Sequence, residues 1–166
     1  TYARSGSVML GTHNYKGALG DVTVDSSGVR SHNLLPFATA LGANSYSHGL
    51  FSSVTGAYSI ISSNYDGNNS SVASKNFGAT ITGSLNSIES ATSSSNYSGV
   101  ANSIVGTANR TANSNGSLIF GAGNEITNSI DSLSGTPTDG GASAKDLADT
   151  LRAAVKSSKS GGATLA

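Results

Sequence analysis

A short phrase recurs six times in this chain, and its clearest copy is Asn-Ser-Ile-Val-Gly-Thr-Ala-Asn at residues 102–109. In each copy a small or short residue stands four positions before a glycine, an apolar residue two positions before it, and Asn or Ser three positions after it. The central glycines are Gly11, Gly42, Gly56, Gly83, Gly106 and Gly121. A rule on every second position is typical of β-strands, whose side chains alternate between two faces. The phrase therefore predicts a strand with one regular face.

The column two before the glycine is apolar in every copy: Met9, Ala40, Val54, Ile81, Ile104 and Ile119. The residue directly before the glycine varies, from Leu10 to Thr55 to Phe120. We therefore predict that the positions two and four before the glycine face an interior. The positions one and three before it are predicted to lie on the opposite face.

The central glycines lie 31, 14, 27, 23 and 15 residues apart. A unit of 14 or 15 residues is too short for a helical hairpin, so we predict coils of two short strands and two turns, stacked into a solenoid. We interpret the intervals of 31 and 27 as two units each, one with a degraded phrase. Phe77–Ala79 and Tyr97–Ala101 are interpreted as traces of degraded phrases. The glycine is expected at a turn that hinders a Cβ, with the following Asn or Ser bonded to backbone or to its equivalent one coil away.

The sequence divides into three parts. Residues 1–130 carry the repeats, 131–160 form an insertion with a predicted helix over 143–157, and 161–166 resemble the start of a further coil. Ser143 and Asp146 have the spacing of a capping box at the helix start. Ala144, Leu147, Leu151 and Val155 fall on one helical face. The chain starts and stops in mid-pattern, which indicates a piece excised from a longer protein.

Composition argues against several classes of function. The net charge is zero, charged residues are 11% and cysteine is absent, so nucleic-acid binding, a disulfide framework and thiolate chemistry are not expected. No apolar run is long enough for a transmembrane helix. His13, His32 and His48 lack ligand spacing and are interpreted as solvated or turn residues. No catalytic residue, cofactor or metal site is predicted, and the chain is not expected to be an enzyme.

The six phrases on this Ser-, Asn- and Gly-rich background resemble the head repeats of the trimeric autotransporter adhesins, the family of the Yersinia adhesin, over residues 7–130. The resemblance implies an all-β fold, a left-handed parallel β-roll or β-solenoid of short coils, assembled as a homotrimer. It implies an extracellular head at the outer membrane of a Gram-negative bacterium, attached only through a C-terminal anchor that this chain lacks. It also implies a virulence role in cell adhesion. The partners would be collagen, fibronectin, laminin or host receptors of the carcinoembryonic-antigen adhesion type. The irregular coil lengths and the helix depart from the plain head repeat.

Receptor contacts in such a head are expected from apolar and aromatic side chains at variable positions. The candidates are Phe51, Tyr58, Tyr65, Leu85 and Tyr97. The other interpretation of each is that it covers the core or the subunit interface.

Two other functions stay open. A parallel β-helix that binds or degrades polysaccharide predicts a carboxylate cluster on one face of successive coils. The acids, including Asp21, Asp25, Asp66, Glu89, Glu125 and Asp131, do not recur at one column. A structural spacer of a surface fibre is the third possibility.

Overall fold

A computed structural model describes residues 8–12, 15–16, 23–24, 30–31, 38–62, 76–90, 98–129, 144–157 and 164–165. Over these ranges the chain forms fifteen strands and one helix. In chain order they are β1 (Val8–Thr12), β2 (Tyr15–Lys16), β3 (Thr23–Val24), β4 (Arg30–Ser31), β5 (Thr39–Ala43), β6 (Tyr46–Ser47), β7 (Ser53–Ala57), β8 (Ile60–Ser62), β9 (Thr80–Ser84), β10 (Ser87–Glu89), β11 (Ser103–Thr107), β12 (Arg110–Ala112), β13 (Ser117–Ala122), β14 (Glu125–Thr127), α1 (Ala144–Ser157) and β15 (Thr164–Leu165).

Two parallel sheets contain all strands except β3 and β4, which pair as an antiparallel hairpin. The first sheet has the order β1-β5-β7-β9-β11-β13-β15, and the second has the order β14-β12-β10-β8-β6-β2. From β5 to β14 the chain alternates between the two sheets, so one strand of each makes a coil. The molecule is therefore mostly β, a parallel solenoid-like stack with one short helix.

The strand register aligns the repeated phrase position by position. Gly42 pairs with Gly56, and Gly106 pairs with Gly83 on one side and Gly121 on the other. The apolar column two before the glycine is stacked in the same way, and from Ala40 to Ile119 each member is at most 1% exposed. The predicted interior face is confirmed over these coils. On the second sheet, Ile61, Ile88, Thr111 and Ile126 form the facing interior column.

The longer intervals between glycines are single coils, contrary to the two-unit interpretation. β1 pairs directly with β5, and β7 pairs directly with β9, so no complete coil lies between the members of either pair. The hairpin of β3 and β4 falls within the 31-residue interval. Long intervals therefore reflect extra residues after a second-sheet strand.

We call the turn from the first to the second sheet the glycine corner. The central glycines from Gly42 to Gly121 adopt φ between 128° and 141°. A Cβ built on Gly42 would lie 1.8 Å from the carbonyl oxygen of Gly56, and one on Gly106 would lie 1.7 Å from that of Gly121. A side chain is thus excluded by the adjacent coil as well as by the backbone conformation.

The polar residue after each glycine forms the predicted ladder between coils. The Oδ1 atom of Asn109 accepts hydrogen bonds from the backbone N–H and Nδ2 of Asn124, at 3.0 and 3.1 Å. Its Nδ2 donates to the Gly121 carbonyl at 2.7 Å and to Asn86 Oδ1 at 3.1 Å. In coils with serine here, Ser45 Oγ donates to the Gly56 carbonyl at 2.9 Å. The ladder satisfies polar groups that the stack buries.

We call the turn from the second sheet back to the first the return corner. Leu50, Phe77 and Val100 occupy it in successive coils, each at most 2% exposed, and form a second apolar cluster. The residue after each of them has positive φ. The N–H of Gly78 donates to the Leu50 carbonyl one coil back, and the N–H of Ala101 donates to the Phe77 carbonyl, both at 2.9 Å. The segments interpreted as degraded phrases therefore contain these turns, which lead into the next copy.

Helix α1 covers this return corner. It begins at Ala144 and ends at Ser157, close to the predicted 143–157. Leu151 packs against the second cluster. A Cβ built on Gly78 would lie 3.3 Å from Leu151 Cδ2, and one on Gly116 would lie 3.1 Å from Val155 Cγ1. Glycine in these turns lets the helix approach closely. Beyond the helix, β15 pairs in parallel with β13, so another strand joins the first sheet.

Candidate binding surface

The outward side of the first sheet carries no charged residue on any of its strands. Its outward columns hold Val8, Leu10, Thr39, Leu41, Ser53, Thr55, Thr80, Thr82, Ser103, Val105, Leu118 and Phe120. Leu10 and Phe120 are 65% and 69% exposed, while Thr80 Oγ1 donates to Ser103 Oγ at 2.9 Å between coils. We call this surface the first-sheet outer face. It is uncharged and partly apolar over the described strands.

Two of the predicted receptor contacts lie together at the edge of this face. Tyr58 follows β7 and Leu85 follows β9, at the same position of adjacent coils. Each is 60% exposed, with φ of 51° and 61° respectively. The Leu85 N–H donates to the Ala57 carbonyl at 3.0 Å, which ties the two turns together. We call Tyr58 and Leu85 the corner pair.

The other candidates do not extend this pair. Phe51 is half-buried in the return corner, with its ring centroid 5.3 Å from that of Phe77, and it packs against the second apolar cluster. Its position fits the interpretation that some candidates cover the core. Tyr65 and Tyr97 lie outside the described residues. The six central glycines all lie in first-sheet strands, as their role in the fold requires.

The second sheet carries an ion-pair cluster on its outward side. Arg110 on β12 donates from Nε and Nη2 to the two carboxylate oxygens of Glu89 on β10, at 3.0 and 2.7 Å. The same guanidinium donates to Glu125 on β14. Ser87 Oγ donates to Glu89 at 2.9 Å. The hydrogen bonds from Glu89 and then Glu125 raise the pKa of Arg110 above its ordinary value.

The sequence predictions do not include this cluster, because they considered whether acidic residues share a column and did not consider basic residues. Arg110 and Glu125 each stand four positions after a central glycine, and the register pairs them directly. Comparing all charges at that column would have found this pair, while Glu89 lies two positions further along its coil. With one guanidinium between two carboxylates, the cluster ties three coils together on an otherwise weakly charged stack.

One histidine lies within the described residues, at a turn, which is one of the two placements predicted for it. His48 is 1% exposed, and its ring stacks on that of Tyr46 with centroids 6.4 Å apart. The backbone N–H of His48 donates to the Ile61 carbonyl at 2.9 Å, which continues the second-sheet pairing into the return corner. It is therefore an interior residue at a turn rather than a solvated one. His13 and His32 lie outside the described residues.

Over the described ranges, no three His, Cys, Asp or Glu side chains come together in a way that would hold a metal ion. In the same part of the chain, no helix has the length and apolar character needed to cross a membrane. Comparison with protein-family models, with curated proteins and with solved structures finds no match to this chain.

Proposed function

We propose that this chain is the head of a bacterial surface adhesin that works as a homotrimer of left-handed β-rolls. Its ligand is a host matrix protein such as collagen, fibronectin or laminin, or a host receptor of the carcinoembryonic-antigen adhesion type. The observation that carries the proposal is the in-register stack of the repeated phrase. Such a stack is what the resemblance of the sequence to the adhesin head repeats leads us to expect.

The composition of the interior supports assembly with other subunits. Between the two sheets each coil buries few apolar side chains: one contributes Ala79, Ile81 and Ile88, and the next contributes Ile104 opposite the polar Thr111. A narrow stack gains little hydrophobic stabilisation per residue, because small domains bury a small fraction of their surface. Side-by-side association adds buried area that one roll cannot supply.

The contrast between the two faces of a strand supports a binding role. Interior positions follow one rule, while outward positions range from threonine to leucine to phenylalanine in the same column. A solenoid presents such outward residues as a long surface, which is how repeat proteins bind their partners. A non-enzymatic head needs no buried catalytic group, only this exposed surface.

The proposal is tested by subunit count and by binding. Light scattering on the purified chain is expected to give the mass of a trimer. Immobilised collagen, fibronectin, laminin and receptor ectodomains are then exposed to it, with heat-unfolded chain as control. Saturable binding to at least one of them is expected. A stable folded monomer contradicts the homotrimer, and a trimer that binds no ligand favours the spacer function.

A polysaccharide-active β-helix is kept as a second candidate because of the ion-pair cluster. Glu89, Arg110 and Glu125 lie on one face of successive coils, the arrangement expected for that class. Arg110 is hydrogen-bonded to both carboxylates, so the cluster already has a role in joining the coils. The test is the release of reducing ends from a panel of polysaccharides. Release that is lost in Glu125→Gln would favour the enzyme over the adhesin, and we expect no release.

A further inference from the structure

Tyr58 and Leu85 are unusual residues for the turn position that they occupy. The residues two positions after the central glycines from Gly42 to Gly121 all adopt positive φ, between 49° and 71°. They are Asn44, Tyr58, Leu85, Ala108 and Gly123. Asn and Gly suit this left-handed conformation, whereas large side chains are uncommon there. The column has a favourable residue at both ends and two bulky ones in the middle.

The corner pair is unfavourable in solvent as well as in backbone conformation. Tyr58 and Leu85 are 60% exposed, so most of each apolar side chain lies in water in the isolated chain. Neither side chain contributes to the two buried apolar clusters. Asn44 and Gly123 show that the turn forms without them. A surface that covers the pair would offset both costs.

The surroundings of the pair indicate the chemistry of that surface. The flanking strands β7 and β9 contain no charged residue, and the described ion pairs lie on the second sheet and on α1. Permanent subunit interfaces are more apolar and less charged than transient ones. The chain has zero net charge, so an apolar patch left uncovered would promote aggregation. These properties favour a permanent cover.

We propose that the corner pair packs against an uncharged surface of a second copy of this chain. The inference rests on the homotrimer of the proposed function and names the contact within it. The first-sheet outer face of the neighbour is the complementary surface, because it is uncharged along its whole length. A closed ring uses such unlike surfaces, with the corner of one subunit against the face of the next.

The size of the first-sheet outer face agrees with this arrangement. Six of its seven strands, from β1 to β13, lie about 4.8 Å apart and are about 16 Å long, which gives roughly 400 Å²; β15 has only two residues. A stable interface buries about 800 Å² on each partner, so the sheet face alone is too small. The corner pair lies at its edge and extends it around the turn. It adds the apolar area of Leu85 and the ring of Tyr58, a residue type enriched among those that dominate binding energy.

The test replaces both residues by the one that the column already uses. In Tyr58→Asn/Leu85→Asn, asparagine suits the positive φ, so the fold is expected to stay intact by circular dichroism and thermal unfolding. Sedimentation equilibrium is expected to show the wild type as a trimer. We expect the dissociation constant of the double variant to rise at least about a hundredfold. Ala108→Asn, an exposed change at the same column, is the matched control and should remain trimeric.

The possible outcomes distinguish failure of this contact from failure of the homotrimer itself. A folded wild-type monomer overturns both the homotrimer and this contact. A wild-type trimer with an equally stable double-variant trimer overturns only the contact. If that double variant also loses binding to a matrix protein, the pair touches the host ligand rather than a second copy. Dissociation of the double variant with an unchanged Ala108→Asn trimer supports the contact.

Discussion

The glycine corner and the return corner both reverse the chain at a strand end, but they tolerate change differently. At the glycine corner, the coils from Gly42 to Gly121 use the same glycine conformation and an Asn or Ser bonded between coils. At the return corner, leucine, phenylalanine and valine fill the same place in successive coils. One corner is fixed by backbone contact, and the other is filled by side chains of different volume.

The extra residues that lengthen some coils are inserted on the side of the return corner. The hairpin of β3 and β4 follows β2, and the extra residues 63–75 follow β8. The helix also packs there, through Leu151. At the glycine corner, by contrast, a Cβ built on the central glycine would lie within 2 Å of a carbonyl oxygen of the next coil. The glycine corner therefore has no room for an insertion. Variation therefore accumulates where packing, rather than backbone contact, holds the coils.

The largest effect is expected from Gly83→Ala, which tests whether contact between coils fixes the glycine corner. The new Cβ would lie 1.9 Å from the carbonyl oxygen of Gly106, on a backbone with φ of 128°. Neither the strand nor its neighbour can move without loss of ladder hydrogen bonds. We expect a loss of about 4 kcal/mol or more in the free energy of unfolding, measured by denaturant titration.

The matched control for that change is Gly123→Ala. Gly123 has φ of 71°, but a Cβ there would meet no atom within 4 Å. Only the conformational cost remains, about 1 kcal/mol. Equal losses in the two variants would mean that conformation alone, without contact between coils, selects glycine at this corner.

A smaller loss is expected from Asn109→Ala, which removes the ladder without adding an atom. Asn109 is 1% exposed and connects Asn86, Gly121 and Asn124. Buried partners left unsatisfied cost about 2–4 kcal/mol in the free energy of unfolding. Asn109→Ser should recover part of this, because Ser59 Oγ at the same column reaches the Gly83 carbonyl at 3.1 Å. A serine variant no more stable than the alanine variant would contradict the ladder's contribution.

The sequence predicted the parts of the fold that depend on backbone geometry. A glycine that touches the next coil has no substitute in the six copies, and the asparagine that bonds to it is replaced only by serine, so Gly106 and Asn109 mark their columns plainly. The interior column from Ala40 to Ile119 followed from strand alternation. The helix followed from its own local pattern, which needs no knowledge of the stack.

The return corner and the corner pair were harder to interpret for a physical reason. Leu50, Phe77 and Val100 share a place but not a volume, so their column, six before each glycine, shows no conserved type. The turn after them has positive φ in Phe51 as in Gly78, which residue type alone does not indicate. Whether Tyr58 and Leu85 are exposed depends on which way the turn directs them, and only the fold decides that.

The smallest expected effect concerns the helix on the return corner, and it would sharpen the comparison by separating local from global stability. Hydrogen bonds from Lys145 and then Arg152 hold the pKa of Asp149 below its ordinary value of 3.8. The ionised carboxylate therefore stabilises the helix fully above that value, and the contribution is lost as the pH falls below it. Wild type should exceed Asp149→Asn in helical circular dichroism at pH 7, and the two should converge as the pH falls below 3.8 and the carboxylate is protonated. Because the ion pairs of Asp149 lie on the surface, the difference should be small and should shrink in salt.

The thermal midpoint of the strand stack should be the same for both proteins at each pH. If that midpoint falls with the helical signal, the helix is coupled to the glycine corners, and the return corner is as integral to the stack as they are.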